Sequence, residues 1–257
     1  MKIVVAIKQV PERDAPILIA PDAKGIEERE LQFAMNEPDA YALEEALQLK
    51  ERIGSGEVVV VSAGPGRVAT TLREALAKGA DRAIHVIADN LRDYDALGIA
   101  RLLAAAIRPE NPELVLTGLQ SEDLGLGQTG VILAELLNLP HATLILHVEK
   151  TDSGLTVKRE LEEGWFETVE LPIPAALTIQ SGGNKLRYAT LMGIKKAKTK
   201  ELRQLAAANL GAEATPTLIL DRISLPARQK STQMLSGSPQ EAAAALVEKL
   251  KFEARVL

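Results

Sequence analysis

Apolar positions follow two rhythms along this chain. Ile3 to Ile7, Glu57 to Ser62 (EVVVVS), Ala83 to Ile87 and Glu113 to Thr117 (ELVLT) are short runs rich in β-branched residues without alternation. Such runs suit strands buried on both faces of a parallel sheet. Between them the apolar residues take helical spacing. One helix is predicted from Asn36 through PDAYALEEALQLKERI, with Asn36 or Asp39 as its cap. Others are predicted from about Arg67 to Lys78, from about Tyr94 to Ile107 with Asp93 before it, and after Gln128. Strand and helix alternate, which predicts a doubly wound α/β domain.

The rhythm changes after Pro140. TLILHVEKTDSGLTVKRELEEGWFETVELP reads as three short strands, with turns at Asp152-Ser153-Gly154 and Glu162-Glu163-Gly164. They predict an antiparallel addition to the parallel sheet. AALTIQSGG then returns to a buried run. From about Leu205 the periodicity is lost. Ala206 to Ser236 is too apolar for plain disorder and is expected to lie extended against another surface. Ser238-Pro239-Gln240-Glu241 is a capping box with proline at the first helical position, and it predicts a closing helix. The expected division is therefore a domain over residues 1–204 and a C-terminal arm and helix over residues 205–257.

Composition narrows the chemistry. With 257 residues, 46% of them hydrophobic but only 3% aromatic, the core has to be aliphatic. The chain has no cysteine, which excludes disulfides, thiolate metal sites and a cysteine nucleophile and fits a cytoplasmic location. A net charge of −5 argues against general nucleic-acid binding. The opening MKIVVAIKQV is broken by Lys8 too soon to be a signal peptide or a span, so no membrane insertion is expected.

The stretch GLQSEDLGLGQTG, Gly118 to Gly130, follows a predicted strand and opens a predicted helix. Strand–loop–helix units of this kind aim backbone N–H groups and a helix dipole at an anion, and glycines let the backbone approach it. Gln128 and Thr129 add side-chain donors. No Walker lysine and no GxGxxG is present, so the loop suits a monophosphate that is held and not turned over. A glycine-rich turn without a ligand explains the local pattern equally well. VSAGPG at Val61–Gly66 and the turn at Lys8 are two further strand ends, and three on one edge make a crevice. SGGNK at Ser181–Lys185 lacks the aspartate and serine of an ATP-pyrophosphatase loop. His85, His141 and His147 are scattered, with no metal-ligand spacing, and no nucleophile–base pair is legible. One basic stretch stands out on this acidic chain. Lys195, Lys196 and Lys198 follow an apolar cluster of Tyr188, Leu191, Met192 and Ile194. It reads either as a solvated helix with a buried edge or as a docking element with apolar anchors rimmed by charge.

Several of these stretches together resemble the beta (small) subunit of electron-transfer flavoproteins. VKRELEEGWFETVELPIPAALT (Val157–Thr178) is similar to that family's signature, and RYATL (Arg187–Leu191) before a lysine-rich helix is similar to its partner-recognition loop. MNEPDAYALEEALQLKE from Met35, VSAGP from Val61, GADRAIH from Gly79 and GQTG from Gly127 agree in order and spacing. The resemblance covers nearly the whole chain. It implies a Rossmann-like fold of the adenine-nucleotide alpha-hydrolase type, an alpha-subunit partner that holds most of an FAD, and a structural AMP in this chain. The AMP site would be lined by Ala6, Asn36, Asp39, Ala63, Gly118, Gln120, Ser121, Glu122, Asp123, Leu124, Gly125, Leu126, Gly127, Gln128 and Thr129. The docking residues would be Tyr188, Leu191, Met192, Ile194, Lys195, Lys196 and Lys198. Acyl-CoA or related flavoprotein dehydrogenases, as in fatty acid oxidation, would deliver electrons, and a quinone oxidoreductase would receive them.

The chain departs from the family pattern at two places. Gly127 stands where asparagine usually precedes Gln-Thr-Gly, and PERDAP around Arg13 lacks a usual aromatic near the flavin edge. Some members bind a second FAD in place of AMP; Gln128-Thr129-Gly130 favours AMP here. The competing reading is a stand-alone adenine-nucleotide-binding protein of universal-stress type, or a nucleotide hydrolase. The long apolar arm separates the two, since a stand-alone domain has little use for it.

Overall fold

A computed structural model describes residues 1–211, 216–226 and 232–257, with Asp93 by its backbone alone. Two compact units divide the chain, Met1–Arg222 and Ile223–Leu257.

The first unit is built on a nine-stranded sheet. Its strands are β1 (Lys2–Ala6), β4 (Glu57–Gly64), β5 (Arg82–Ile87), β6 (Leu114–Gly118), β7 (His141–Lys150), β8 (Leu155–Glu160), β9 (Phe166–Leu171), β10 (Ala175–Ile179) and β11 (Leu202–Ala206). The order is β11-β5-β4-β1-β6-β10-β7-β8-β9. Only the β7–β8 and β8–β9 pairings are antiparallel. The first of the three strands expected as an antiparallel addition, β7, thus joins β10 in parallel and carries the hairpin outward. A second, two-stranded sheet pairs β2 (Gln9–Pro11) with β3 (Phe33–Met35).

The strand runs alternate between two cores. Ile3, Val5, Val58 and Val60 face one side, packed on α1 (Glu37–Ile53) and α2 (Val68–Lys78). Val4, Val59 and Val61 face the other, packed on α3 (Ala96–Ile107) and α4 (Thr129–Leu137). Burial on both faces explains why these strands read as unbroken apolar runs. The chain is therefore α/β, with a mainly parallel sheet doubly wound in the Rossmann-like manner.

Local chemistry sets the helix ends. The predicted helix near Tyr94 starts two residues later, at Ala96, because Asp95 accepts from Gly98 N at 2.8 Å and so takes the cap. Asn36 stands at the N-cap position of α1 without capping it, since its side chain is spent elsewhere. Leu202–Ala206, which straddles the expected boundary between domain and arm at residue 204, is a parallel edge strand on β5. The short α5 (Leu191–Ala197) lies along α2.

Of the arm expected to be extended, residues 212–215 and 227–231 lie outside the described residues. Ala207–Asn209 make a helical turn, while 216–226 and 232–236 contain neither helix nor strand. Within the first unit, Thr217 is tied to the body: Asp95 Oδ2 accepts from Thr217 N and Oγ1 at 2.7 Å and from Leu218 N at 3.0 Å. The second unit carries α6 (Pro239–Glu248), opened by the expected capping box between Ser238 and Glu241. Leu225, Met234, Val247, Phe252 and Val256 are all exposed.

Candidate functional site

The carboxyl ends of β1 and β6, neighbours in the sheet, are joined by one side chain. Asp39, in the first turn of α1, accepts from Lys8 N at 2.7 Å with one oxygen and from Gly118 N at 2.8 Å with the other. It is 6% exposed, and that burial pushes its pKa up to about 6 in spite of both bonds and the Lys8 charge. Position 118 has to be glycine, because a Cβ there would run into the Asp39 carboxylate and stand 2.7 Å from its backbone nitrogen.

Asn36 then holds the loop that follows. Its Nδ2 donates to Gln120 O at 3.0 Å and its Oδ1 accepts from Glu122 N at 2.9 Å. This two-way grip on the backbone is why Asn36 does not cap α1. Glu122 Oε2 accepts from Glu37 N at 3.2 Å. Lys8 reaches up from the end of β1, with Nζ 2.6 Å and 2.7 Å from the two Asp123 oxygens and 3.3 Å from Ser121 Oγ. Burial pushes Asp123 upward, but the Lys8 charge and the hydrogen bonds from Lys8, Ser121 and Leu124 outweigh it and hold the carboxyl below its usual range.

Beyond Leu124, whose N–H donates to Asp123 Oδ1 at 2.8 Å, no side chain among the described residues clamps the loop in this way. Leu124 and Leu126 are exposed, and Gly125 and Gly127 both sit at φ +63°, a region that side chains with a Cβ rarely adopt. Thr129 opens α4, whose first amides have no acceptor within the helix and point along its dipole toward the loop. Ala6 is the register partner of Val61, and Ala63 lies two residues farther along β4 on the same edge. The structure thus brings Ala6, Asn36, Asp39, Ala63 and the Gly118–Thr129 loop to one edge of the sheet. The sequence did not reveal that Lys8 supplies the loop's cation. The available signal was a lysine directly after the first strand, facing a loop with two acids and no base.

A separate cleft of 610 Å³ opens on the other side of β4, lined by Asp22, Pro65, Asp89 and others. Its arginines are committed, Arg67 to Glu28 at 3.0 Å and Arg92 to Asp22 at 3.3 Å. Among the described residues, no group of three or more His, Asp or Glu side chains gathers as a metal site, and no helix is long and apolar enough to cross a membrane.

The basic stretch stands out from the body on a rigid base. Arg187 donates from Nε to Glu44 at 2.8 Å and from Nη1 to Glu51 at 2.7 Å, both on α1. Burial alone would raise Glu44; the hydrogen bonds from Arg187 and Gln48 and the Arg187 charge outweigh it and hold it low. Thr190 caps α5 by accepting from Gly193 N at 3.0 Å. At the other end, Arg73 of α2 donates to Ala197 O at 2.6 Å and Lys200 O at 2.7 Å, while Lys200 Nζ donates to Leu76 O at 3.0 Å. On this base Leu191 is 89% exposed and Tyr188 92%, with Met192, Ile194, Lys195, Lys196 and Lys198 also exposed. Leu191 is not a core residue.

Comparison with known proteins decides the family. Residues 24–210 match the family model described as Electron transfer flavoprotein domain. The chain is 39% identical to the electron transfer flavoprotein subunit beta of Methylophilus methylotrophus, over 96% of this chain and 97% of that protein. It is 39% identical to the mitochondrial subunit beta of Oryza sativa subsp. japonica, with both chains fully covered. The chain belongs to the electron transfer flavoprotein beta-subunit family.

Both the glycine loop and the exposed α5 fall inside the span of the electron transfer flavoprotein domain. The arm beyond residue 210 lies outside it, yet is covered by whole-chain similarity reaching as far as the subunit beta of Bos taurus, at 35% identity over 100% of this chain.

Proposed function

We propose that this electron transfer flavoprotein subunit pairs with an alpha subunit, helps enclose the FAD held mainly by that partner, and keeps one AMP of its own as a structural ligand. The observation that carries the reading is the edge where Asp39 and Asn36 fix the ends of β1 and β6 and present a glycine loop and a helix start. Those groups suit a phosphate that is held, and on this reading the subunit carries electrons with its partner and makes no bonds itself. Cofactor binding falls to Ala6, Asn36, Asp39, Ala63 and the Gly118–Thr129 loop.

Docking of flavoprotein dehydrogenases of the acyl-CoA type falls to Leu191 and its neighbours, with electrons passing on to a quinone oxidoreductase. Lys195, Lys196 and Lys198 would steer an acidic partner. The setting is cytoplasmic. The stand-alone reading is disfavoured by the exposed apolar side chains of the second unit, which suit a partner surface.

Co-expression with the alpha subunit tests this. A yellow heterodimer is expected, and deletion of Ile223–Leu257 should abolish pairing while the first unit stays folded. A colourless monomer that hydrolyses ATP contradicts the proposal.

A further inference from the structure

We propose that Lys8 is the cation that meets the nucleotide's phosphate, and that the phosphate takes this ammonium over from Asp123 when it binds. The inference rests on the adenine-nucleotide reading of the loop and adds to it a charge exchange.

A cation strengthens a phosphate site built on backbone N–H groups, yet the Gly118–Thr129 loop has Glu122 and Asp123 and no lysine or arginine. The charge comes from the adjacent strand end. The Lys8 backbone is pinned by its N–H on Asp39, so its side chain starts from a fixed point at the sheet edge. From there Nζ stands 2.6 Å and 2.7 Å from the two oxygens of Asp123, with Ser121 Oγ at 3.3 Å. The Lys8 side chain is 34% exposed and that of Asp123 28%. The pair is partly shielded yet open enough for one anion to replace another.

An oxyanion already sits on this ammonium, presented by the loop itself. A phosphate monoester carries about −1.5 to −2 charges at neutral pH against −1 for a carboxylate. Two anions crowded onto one ammonium repel each other. The stronger one therefore displaces Asp123, which turns to solvent. The two residues then act on affinity with opposite signs: Lys8 attracts the phosphate, while Asp123 competes with it. A pair that merely braced the loop would give losses on both sides.

Isothermal titration of the full chain, freed of nucleotide by dialysis, with AMP and separately with adenosine tests this. Lys8→Met is expected to weaken AMP about ten- to a hundred-fold, the scale of a lost charged hydrogen bond. It should leave adenosine within about twofold, because adenosine has no phosphate to meet. Asp123→Asn is expected to tighten AMP about two- to fivefold. Equal losses for AMP and adenosine in Lys8→Met, or weaker AMP binding in Asp123→Asn, overturn the exchange. If Lys8→Met does not fold, the sign of the Asp123→Asn change decides alone. Wild-type chain that binds neither compound removes the nucleotide reading and the exchange together. Wild-type binding that Lys8→Met leaves unchanged removes the exchange only.

Discussion

The glycine loop and the lysine-bearing α5 expose different parts of the chain. The loop is clamped in its first half by buried polar side chains, Asn36 and Asp39, and its second half exposes backbone at positive φ. In α5 the ends are clamped, by Arg187 on α1 and Arg73 from α2, and the middle exposes apolar and basic side chains. One region offers main chain and the other offers side chains. A loop of the first kind is damaged by adding atoms to its backbone, and an element of the second kind by removing side-chain atoms.

The largest effect should come from Gly127→Val. A β-branched residue at φ +63° is strained by about 1–3 kcal/mol, and the new side chain blocks the approach of a ligand. Nucleotide occupancy should fall by about a hundredfold or more, read by mass spectrometry of the released ligand. Unchanged occupancy would mean the glycine half of the loop touches nothing. Valine is equally β-branched in β4, where it packs without penalty, so the loss would belong to the loop's backbone and not to the residue type.

Asp39 gives the clamp under the loop a pH dependence. Its folded pKa is raised from 3.8 to about 6, so between those values the folded state binds more protons than the unfolded state. The contribution of Asp39 to stability then falls as pH rises through that window, by about 3 kcal/mol in all. In Asp39→Asn this contribution should vanish, so stability should rise more steeply with pH than in the wild type, whatever the variant's absolute stability. Urea denaturation at pH 4, 5 and 6 measures it, and an unchanged slope would place the titrating group elsewhere.

Leu191→Ala tests the other region. An exposed anchor removed from α5 should leave stability within about 0.5 kcal/mol. It should weaken electron transfer from a flavoprotein dehydrogenase by about ten- to a hundred-fold, from the loss of 1.5–3 kcal/mol of leucine burial in a partner. A large drop in Tm would show that the side chain packs on the body. The smallest effect should come from Lys195, Lys196 and Lys198. Replacing them singly with alanine should alter the association rate by a few-fold at low salt, and the difference should fade at high ionic strength.

The two regions were also unequally legible in the sequence. Parallel strands announced themselves because burial on both faces demands unbroken apolar runs, as at Val58–Val61. The Ser238–Glu241 box was legible because its hydrogen bonds join residues three apart. β11 was missed because an edge strand packs on one neighbour only and Leu202-Arg203-Gln204-Leu205 can stay half polar. β2 and β3 were too short to show a period. The clamps lay deeper still. Asn36 reaches residues 84 and 86 positions away, and Arg187 reaches Glu44 at a separation of 143. Only the folded sheet brings such partners together. The glycines of the loop could be read locally; the pairing of Lys8 with Asp123 could not.

On the proposed function this chain holds an adenine monophosphate while its partner holds the flavin. The check is to denature the purified heterodimer and quantify the released ligands by mass spectrometry. One AMP and one FAD per heterodimer are expected; two FAD and no AMP, or FAD with no second nucleotide, would overturn that reading.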